Sequence, residues 1–276
     1  MPRVSVIVPV RDRSRLLGSL LAALDEQTYA DVEVIVADDG SVDGSGDLAE
    51  ASTVHGRPVR VLRLDGRGAV AARTAAVEVA AGELLAFTDS DCEPEPGWLA
   101  HLVAEVDAGA DVVVGRTIPA RTVRPLERSV HAGDDGLFAT CNVLYRRAAF
   151  DAVGGFASTP GRWDVRPNAR ARGLGIGEDT ILGWRVAQQG TLRVADGAVV
   201  RHAVHPPDLA DSITRGWMAA AFPALLREVP ELGGRLLRRR VLLGGGRRLP
   251  LLVAVPLLAV GPRWLAAGAV GWWAAA

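Results

Sequence analysis

The chain has 276 residues and a formal net charge of −1, enough length to bury a full core and no charge excess to attract a polyanion. Nothing in the overall charge suggests nucleic-acid binding, and no nucleic-acid partner is expected; Lys is absent and Arg takes its place. Its two cysteines, Cys92 and Cys141, offer neither a disulfide framework nor metal-ligand spacing, as expected in a reducing compartment. The opening MPRVSVIVPV runs straight into a strand pattern and reads as a chain without a signal peptide.

The β-branched run Val4–Val8 predicts a buried strand stopped at Pro9. Leu16, Leu17, Leu20, Leu21 and Leu24 then follow helical spacing, with Ser14 as the cap. A second strand, Val32–Ala37, ends in Asp38-Asp39-Gly40-Ser41, and Asp43-Gly44-Ser45 is a turn able to start a helix. Val59–Leu64 reads as a third strand, 68–81 as an alanine-rich helix ended by Gly82, and Leu84–Phe87 as a fourth strand. A helix over Gly97–Val106 and a strand Asp111–Val114 follow. Arg116–Gly136 reads as a long loop, Leu137–Tyr145 resumes an apolar pattern, and Gly154-Gly155 makes a sharp turn. Residues 157–177 are a candidate flexible lid. A helix over 177–190 and strands Leu192–Ala195 and Ala198–Val200 close the region. Strands alternating with helices imply a mostly parallel α/β sheet covered on both faces.

In such sheets ligands sit beyond the carboxyl ends of the strands. Pro9–Arg11, Asp38/Asp39 and Asp89/Asp91 all fall at such ends. Asp89 and Asp91, separated by Ser90, can face one point, and two carboxylates there suit a hard divalent cation that also binds phosphate. Their plainer role is to solvate a loop and cap the next helix. Glu178 and Asp179 likewise stand at a predicted helix N-terminus, where dipole capping alone is worth about 0.3–1 kcal/mol.

Taken together these stretches resemble the family 2 glycosyltransferases with the GT-A fold, in the family's order over residues 4–205. SVIVPVRDR resembles the opening strand and turn, ADDGSVDGS the nucleotide-binding loop, and GRGAVAARTAA the segment presenting an arginine, here Arg73. DSD is similar to the metal motif, TCNVLYRRAAFDAVGGF to the acceptor-side strand and turn, and GEDTILGWRVAQQG to the segment carrying the base. The resemblance implies a Rossmann-like domain over 1–207 that moves a sugar from a nucleotide diphosphate sugar, by preference a UDP-sugar, with inversion. It implies nucleotide contacts from Pro9, Val10, Arg11, Asp38, Asp39, Arg73, Asp89 and Ser90. Mn²⁺ or Mg²⁺ would be held by Asp91 and Asp89, with His202 as a further ligand or a structural residue. Asp179 would be the base and Glu178 its like-charged neighbour. The family's usual aromatic-Asn pair is Arg11-Asp12 here, and an Asn common in the third segment is Thr74. The absence of a Gln-x-x-Arg-Trp string argues against a processive polysaccharide synthase. A nucleotidyltransferase would want a glycine-rich loop with a lysine after strand one, which residues 9–18 lack.

Residues 208–276 form a second region. Leu209–Glu228 can make an amphipathic helix, arginines cluster from Arg235 to Arg248, and from Leu249 onward the only charged residue is Arg263. Proline interruptions favour an interfacial anchor on anionic lipid over a spanning helix, with a buried helical pair as the other arrangement. The expected setting is the cytoplasmic face of the plasma membrane, with a sugar or lipid-linked acceptor in cell-envelope glycan or glycolipid synthesis. The alternative is a catalytically silent domain of the same fold that binds nucleotide or partners.

Overall fold

The structure, a computed structural model, describes residues 2–124, 127–158, 177–208 and 222–233. The chain divides into two compact units, Met1–Ala221 and Phe222–Ala276. The first runs β1 (Val4–Val10), α1 (Ser14–Asp25), β2 (Val32–Asp38), α2 (Ser45–Glu50), β3 (Thr53–Val54), β4 (Arg57–Pro58) and β5 (Arg60–Arg63). It continues through α3 (Ala69–Val79), β6 (Leu84–Phe87), β7 (Cys92–Pro94), α4 (Trp98–Asp107), β8 (Val112–Pro119), β9 (Val143–Arg146) and α5 (Arg147–Ala152). After a 3-10 turn, Gly155–Ser158, come α6 (Glu178–Gln189) and β10 (Leu192–His202). The described part of the second unit holds α7 (Phe222–Glu228). Among the described residues no helix is long and apolar enough to cross a membrane. Nearly all of the expected lid, the arginine cluster and the apolar tail lie outside the described residues.

The large sheet has the order β5-β2-β1-β6-β9-β8-β10-β7. β5, β2, β1 and β6 are mutually parallel, as are β8 and β10, while β9 and the edge strand β7 run against their neighbours. Strand alternation splits the apolar residues between two cores. Val4, Val6, Val8 and Val10 face α1 and α4, packing with Leu17, Leu20, Trp98 and Leu102. Ile7, Ile35, Phe87 and Tyr145 face the other way and pack with Ala72, Ala76, Phe150 and Leu182 from the helices there. Phe87, Tyr145, Phe150 and Phe156 meet at ring-centroid distances of 5.5–6.0 Å, which anchors the strand end just ahead of Asp89.

Several expectations are corrected. Pro9 does not stop β1. The Ile7 carbonyl accepts from Thr88 N on the β6 side and the Val10 carbonyl from Asp39 N on the β2 side. Pro9 therefore turns its missing N–H toward β6, beyond that strand's last residue, and no ladder bond is lost. Ser14 is the first residue of α1 and makes no side-chain cap; its N–H donates to Asp43 Oδ2 at 2.8 Å, so the cap comes from another loop. The fifth strand extends to Pro119, into the stretch expected to be loop, because β10 pairs with it along its length. The two expected C-terminal strands are one strand with a bulge between Ala195 and Val199. Asn142 spans that bulge, accepting from Trp98 Nε1 at 2.8 Å and donating to the Ala198 carbonyl at 2.9 Å.

Candidate active site

A cleft of about 590 Å³ opens beyond the carboxyl ends of β1, β2 and β6. Its rim is built by loops bonded to one another. Asp12 takes a left-handed conformation (φ 49°), tolerable for a short polar residue, donates its N–H to Ser41 Oγ and accepts from Val42 N at 2.7 Å. Gly40 (φ 79°) is needed twice over: a Cβ there would also stand 3.2 Å from the Gly66 nitrogen. The close approach brings the 66–68 turn to Asp39, whose buried carboxylate accepts from Arg67 N at 2.6 Å and Gly68 N at 2.8 Å.

Pro9, Val10, Arg11, Asp39, Arg73, Asp89, Ser90, Asp91 and His202 all line this cleft. Asp38 does not: its carboxylate turns away, to Ser41 N at 2.9 Å and Arg63 Nη1 at 3.3 Å. Arg11 is largely exposed, 3.8 Å from Asp39, and offers no aromatic face to a base. Arg73, on α3, is buried and donates to Asp89 Oδ1 at 2.6 Å. Burial works against its charge, but Asp89, Glu178 and Asp179 outweigh that and hold its pKa above the usual arginine range. Its Nε and the nearby strand-end hydroxyl of Thr88 have no protein partner among the described residues. Buried groups of this kind are satisfied by water or by a ligand's oxygens.

The two carboxylates expected to share a cation belong to different networks. Asp89 is committed to Arg73, whereas Asp91 Oδ2 accepts from Arg13 Nη1 at 2.7 Å and His205 Nε2 at 2.8 Å. A turn closed by Cys92 N on the Asp89 carbonyl separates them, in place of the continuing strand that same-side geometry needed. Burial opposes the charge of Asp91, but His202, Arg13 and His205 keep its carboxyl below the usual range. Burial also lowers the pKa of His205, against the pull of Asp91. His202 Nδ1 lies 2.8 Å from the Ala203 carbonyl, which assigns the proton to that nitrogen. Its Nε2 stands 3.5 Å from Asp91 Oδ1, an ion pair when the ring is protonated and a lone pair open to a metal when it is neutral. A metal cation would take the place of a ring proton between these two atoms, and a backbone-oriented imidazole suits a metal ligand. Donor atoms of Asp91, Cys92 and His202 lie within 4.8 Å of one another. The Cys92 thiol is pushed up through its contact with Cys141 and its burial, so it stays protonated and leaves the carboxylate and imidazole as the fitting ligands.

Glu178 and Asp179 open α6 and do not line the cleft among the described residues; they reach the site through the field of Arg73. α6 is held by Thr180 Oγ1 on the Leu137 carbonyl (2.7 Å), Trp184 Nε1 on the Gly136 carbonyl (3.0 Å) and the Phe138 ring, which lies against Gly183. Asp179 Oδ1 accepts from Thr180 N, yet its carboxyl is pushed up to about 7, by burial first and the charge of Glu178 second. Burial likewise raises Glu178, against Arg73. Repulsion by the like-charged neighbour Glu178 is thus the lesser cause and burial the greater.

Arg13, His205 and Ser129 also line the cleft and were not among the expected site residues. Arg13 sits two positions after Arg11 on the same loop, and His205 three after His202, spacings that carry a signal only once Asp91 is placed between them. Ser129 donates to the His202 carbonyl at 3.0 Å, a contact no local pattern announces.

Comparison with known proteins agrees with this architecture. The glycosyltransferase AglE of Haloferax volcanii is 36% identical over 119 residues, which cover 42% of this chain and 39% of that protein. Over the first three curated relatives the matched stretch spans less than half of their length. Two solved structures share the fold at 19% identity. TarS 1–349 of S. aureus in complex with UDP-GlcNAc has a TM-score of 0.59, with 85% of this chain and 66% of that one covered. The mannosyltransferase PcManGT of Pyrobaculum calidifontis, in complex with GDP-Man and Mn²⁺, has a TM-score of 0.57, with 98% and 85% covered. The family model for glycosyl transferase family 2 matches residues 5–159, more than half of the chain, and the chain belongs to that family.

Proposed function

We propose that the chain transfers a sugar from a nucleoside diphosphate sugar to an acceptor hydroxyl with inversion at the anomeric carbon, assisted by a divalent cation. The observation that carries this reading is the convergence of Arg73, whose buried Nε has no partner among the described residues, and the adjacent Asp91 Oδ1 and His202 Nε2 in one cleft at parallel strand ends. The base and ribose belong against Asp39 and the loop it braces, and Arg73 can turn its planar fork to the diphosphate. Asp91 and His202 would hold the ion, which when bound would neutralise charge on the leaving diphosphate. Asp89 serves by orienting Arg73.

Asp179 is the base in this reading, although it stands outside the cleft's lining, at the start of α6 where its charge acts on Arg73. It takes the proton of the acceptor hydroxyl while the oxygen bonds to the anomeric carbon; the sugar–phosphate C–O bond breaks and its electron pair leaves with the diphosphate. A carboxyl pushed up to about 7 is matched to that work near neutral pH. Structures of the same fold in complex with UDP-GlcNAc and with GDP-Man leave both bases as candidates, with UDP the expectation from sequence. The arginine run followed by the apolar stretch from Leu249 supports an acceptor presented at an anionic membrane surface on the cytoplasmic side. The test is a screen of UDP- and GDP-sugars for nucleoside diphosphate release, with Mn²⁺ and after EDTA. Metal-dependent release from at least one donor is expected. A folded protein that binds nucleotide but turns over no donor would support the silent-domain alternative.

A further inference from the structure

The carboxylate of Asp91 is shared unequally. Both acceptor positions of Oδ2 are taken, by Arg13 Nη1 at 2.7 Å and His205 Nε2 at 2.8 Å, while Oδ1 has the longer contact, 3.5 Å, to His202 Nε2. Oδ1 is therefore the oxygen left for a cation, while a guanidinium already neutralises the other. Arg13 is accessible from the cleft. Its main-chain N–H is tethered to Ser45 Oγ at 3.0 Å, its side chain is one-third exposed, and it lines the cleft. A planar fork fits phosphate oxygens as well as a carboxylate, and a diphosphate carries more charge than Asp91.

We infer that Arg13 makes cation binding at Asp91 conditional on the diphosphate: in the free protein its guanidinium occupies the carboxylate's charge, and an arriving nucleoside diphosphate draws it onto phosphate oxygens and leaves Asp91 to the ion. This rests on the donor reading above for the identity of the diphosphate, but the competition between Arg13 and the ion does not. Coupling of this kind is reciprocal, so each ligand tightens the other by the same factor.

The experiment measures Mn²⁺ binding to the full chain by electron paramagnetic resonance, alone and with UDP or GDP, for wild type, Arg13→Gln and Arg13→Lys. Mn²⁺ alone should bind Arg13→Gln about tenfold tighter than wild type, the gain from lifting a neighbouring positive charge off a mostly buried carboxylate. Arg13→Lys keeps the charge and should stay within about twofold of wild type. The tightening of Mn²⁺ by nucleotide should shrink in Arg13→Gln by the factor gained without it. Since the Ser45 bond is made by the main chain, the variants should fold, which their melting curves check. An Arg13→Gln protein that binds Mn²⁺ no tighter than wild type, or not at all, overturns the inference regardless of what the nucleotides do. Failure of UDP and GDP to bind wild type contradicts the donor reading instead, and the comparison with Mn²⁺ alone still decides the role of Arg13.

Discussion

Asp179→Asn separates a base from a helix cap in a single variant. The amide keeps the oxygen that accepts from Thr180 N, so the local geometry of α6 survives. It removes a carboxyl whose pKa rises from 3.8 to about 7 on folding. For a group raised in this way, the native state holds its proton longer than the unfolded chain, so its contribution to stability is greatest below about pH 4 and falls as the pH rises to about 7. Above that the wild type carries a buried charge. At about 1.4 kcal/mol per unit the ceiling of that cost is roughly 4 kcal/mol. The half-buried side chain keeps some hydration and Glu178 supplies part of the shift, so about 1–2 kcal/mol is the expected gain of the neutral variant. Asp179→Asn should therefore melt higher than wild type at pH 8, by several degrees, with the difference shrinking toward pH 5. Turnover should drop by about 10²–10⁴-fold with nucleotide affinity nearly intact, and the acid limb near pH 7 in the wild-type kcat/KM profile should vanish. Thermal melts and donor turnover across pH 5–9 read all three. A variant that melts lower at pH 8 and turns over normally would make Asp179 a dipole cap and refute the reasoning.

Arg73→Met leaves Asp89, Glu178 and Asp179 without their shared counter-charge. The Asp179 limb should move to higher pH, and stability at pH 8 should fall by about 3–5 kcal/mol, measured by kinetics and urea melts. Gly183→Ala drives a methyl group into the Phe138 ring, which sits on a left-handed residue (φ 53°) with little freedom to retreat, and should cost about 1–3 kcal/mol in urea melts. The full chain should float with liposomes containing anionic lipid and be only partly released by salt, because screening weakens arginine contacts but not apolar insertion. A chain that stays unbound removes the membrane-surface reading.

The elements legible in the sequence were those whose signal is local. Leu84–Phe87 is apolar, short and bounded by turn residues, and β6 has those same bounds. The leucine periodicity of α1 and the glycine-bounded α6 also match their spans within a residue or two. What escaped was decided by pairing across the chain. Arg116–Pro119 looks aperiodic alone and is strand because β10 lies beside it. β7, only 3 residues long, exists as an antiparallel partner of β10. The same division runs through the site. Motif order brought Asp39, Arg73, Asp89 and Asp91 to one cleft, but no pattern in DSD tells that Asp89 answers to Arg73 and Asp91 to Arg13 and His205. Asp38 and Asp39 are adjacent and of one residue type; strand alternation sends one toward Arg63 and the other into the cleft.

The most direct test of the account is calorimetric titration of UDP and GDP into wild type and Asp91→Asn, each with Mn²⁺ and with EDTA. The account predicts that at least one nucleoside diphosphate binds wild type with Mn²⁺, that EDTA weakens it about tenfold or more, and that Asp91→Asn binds weakly and no longer responds to the metal. Binding unchanged by both chelation and the substitution would contradict it.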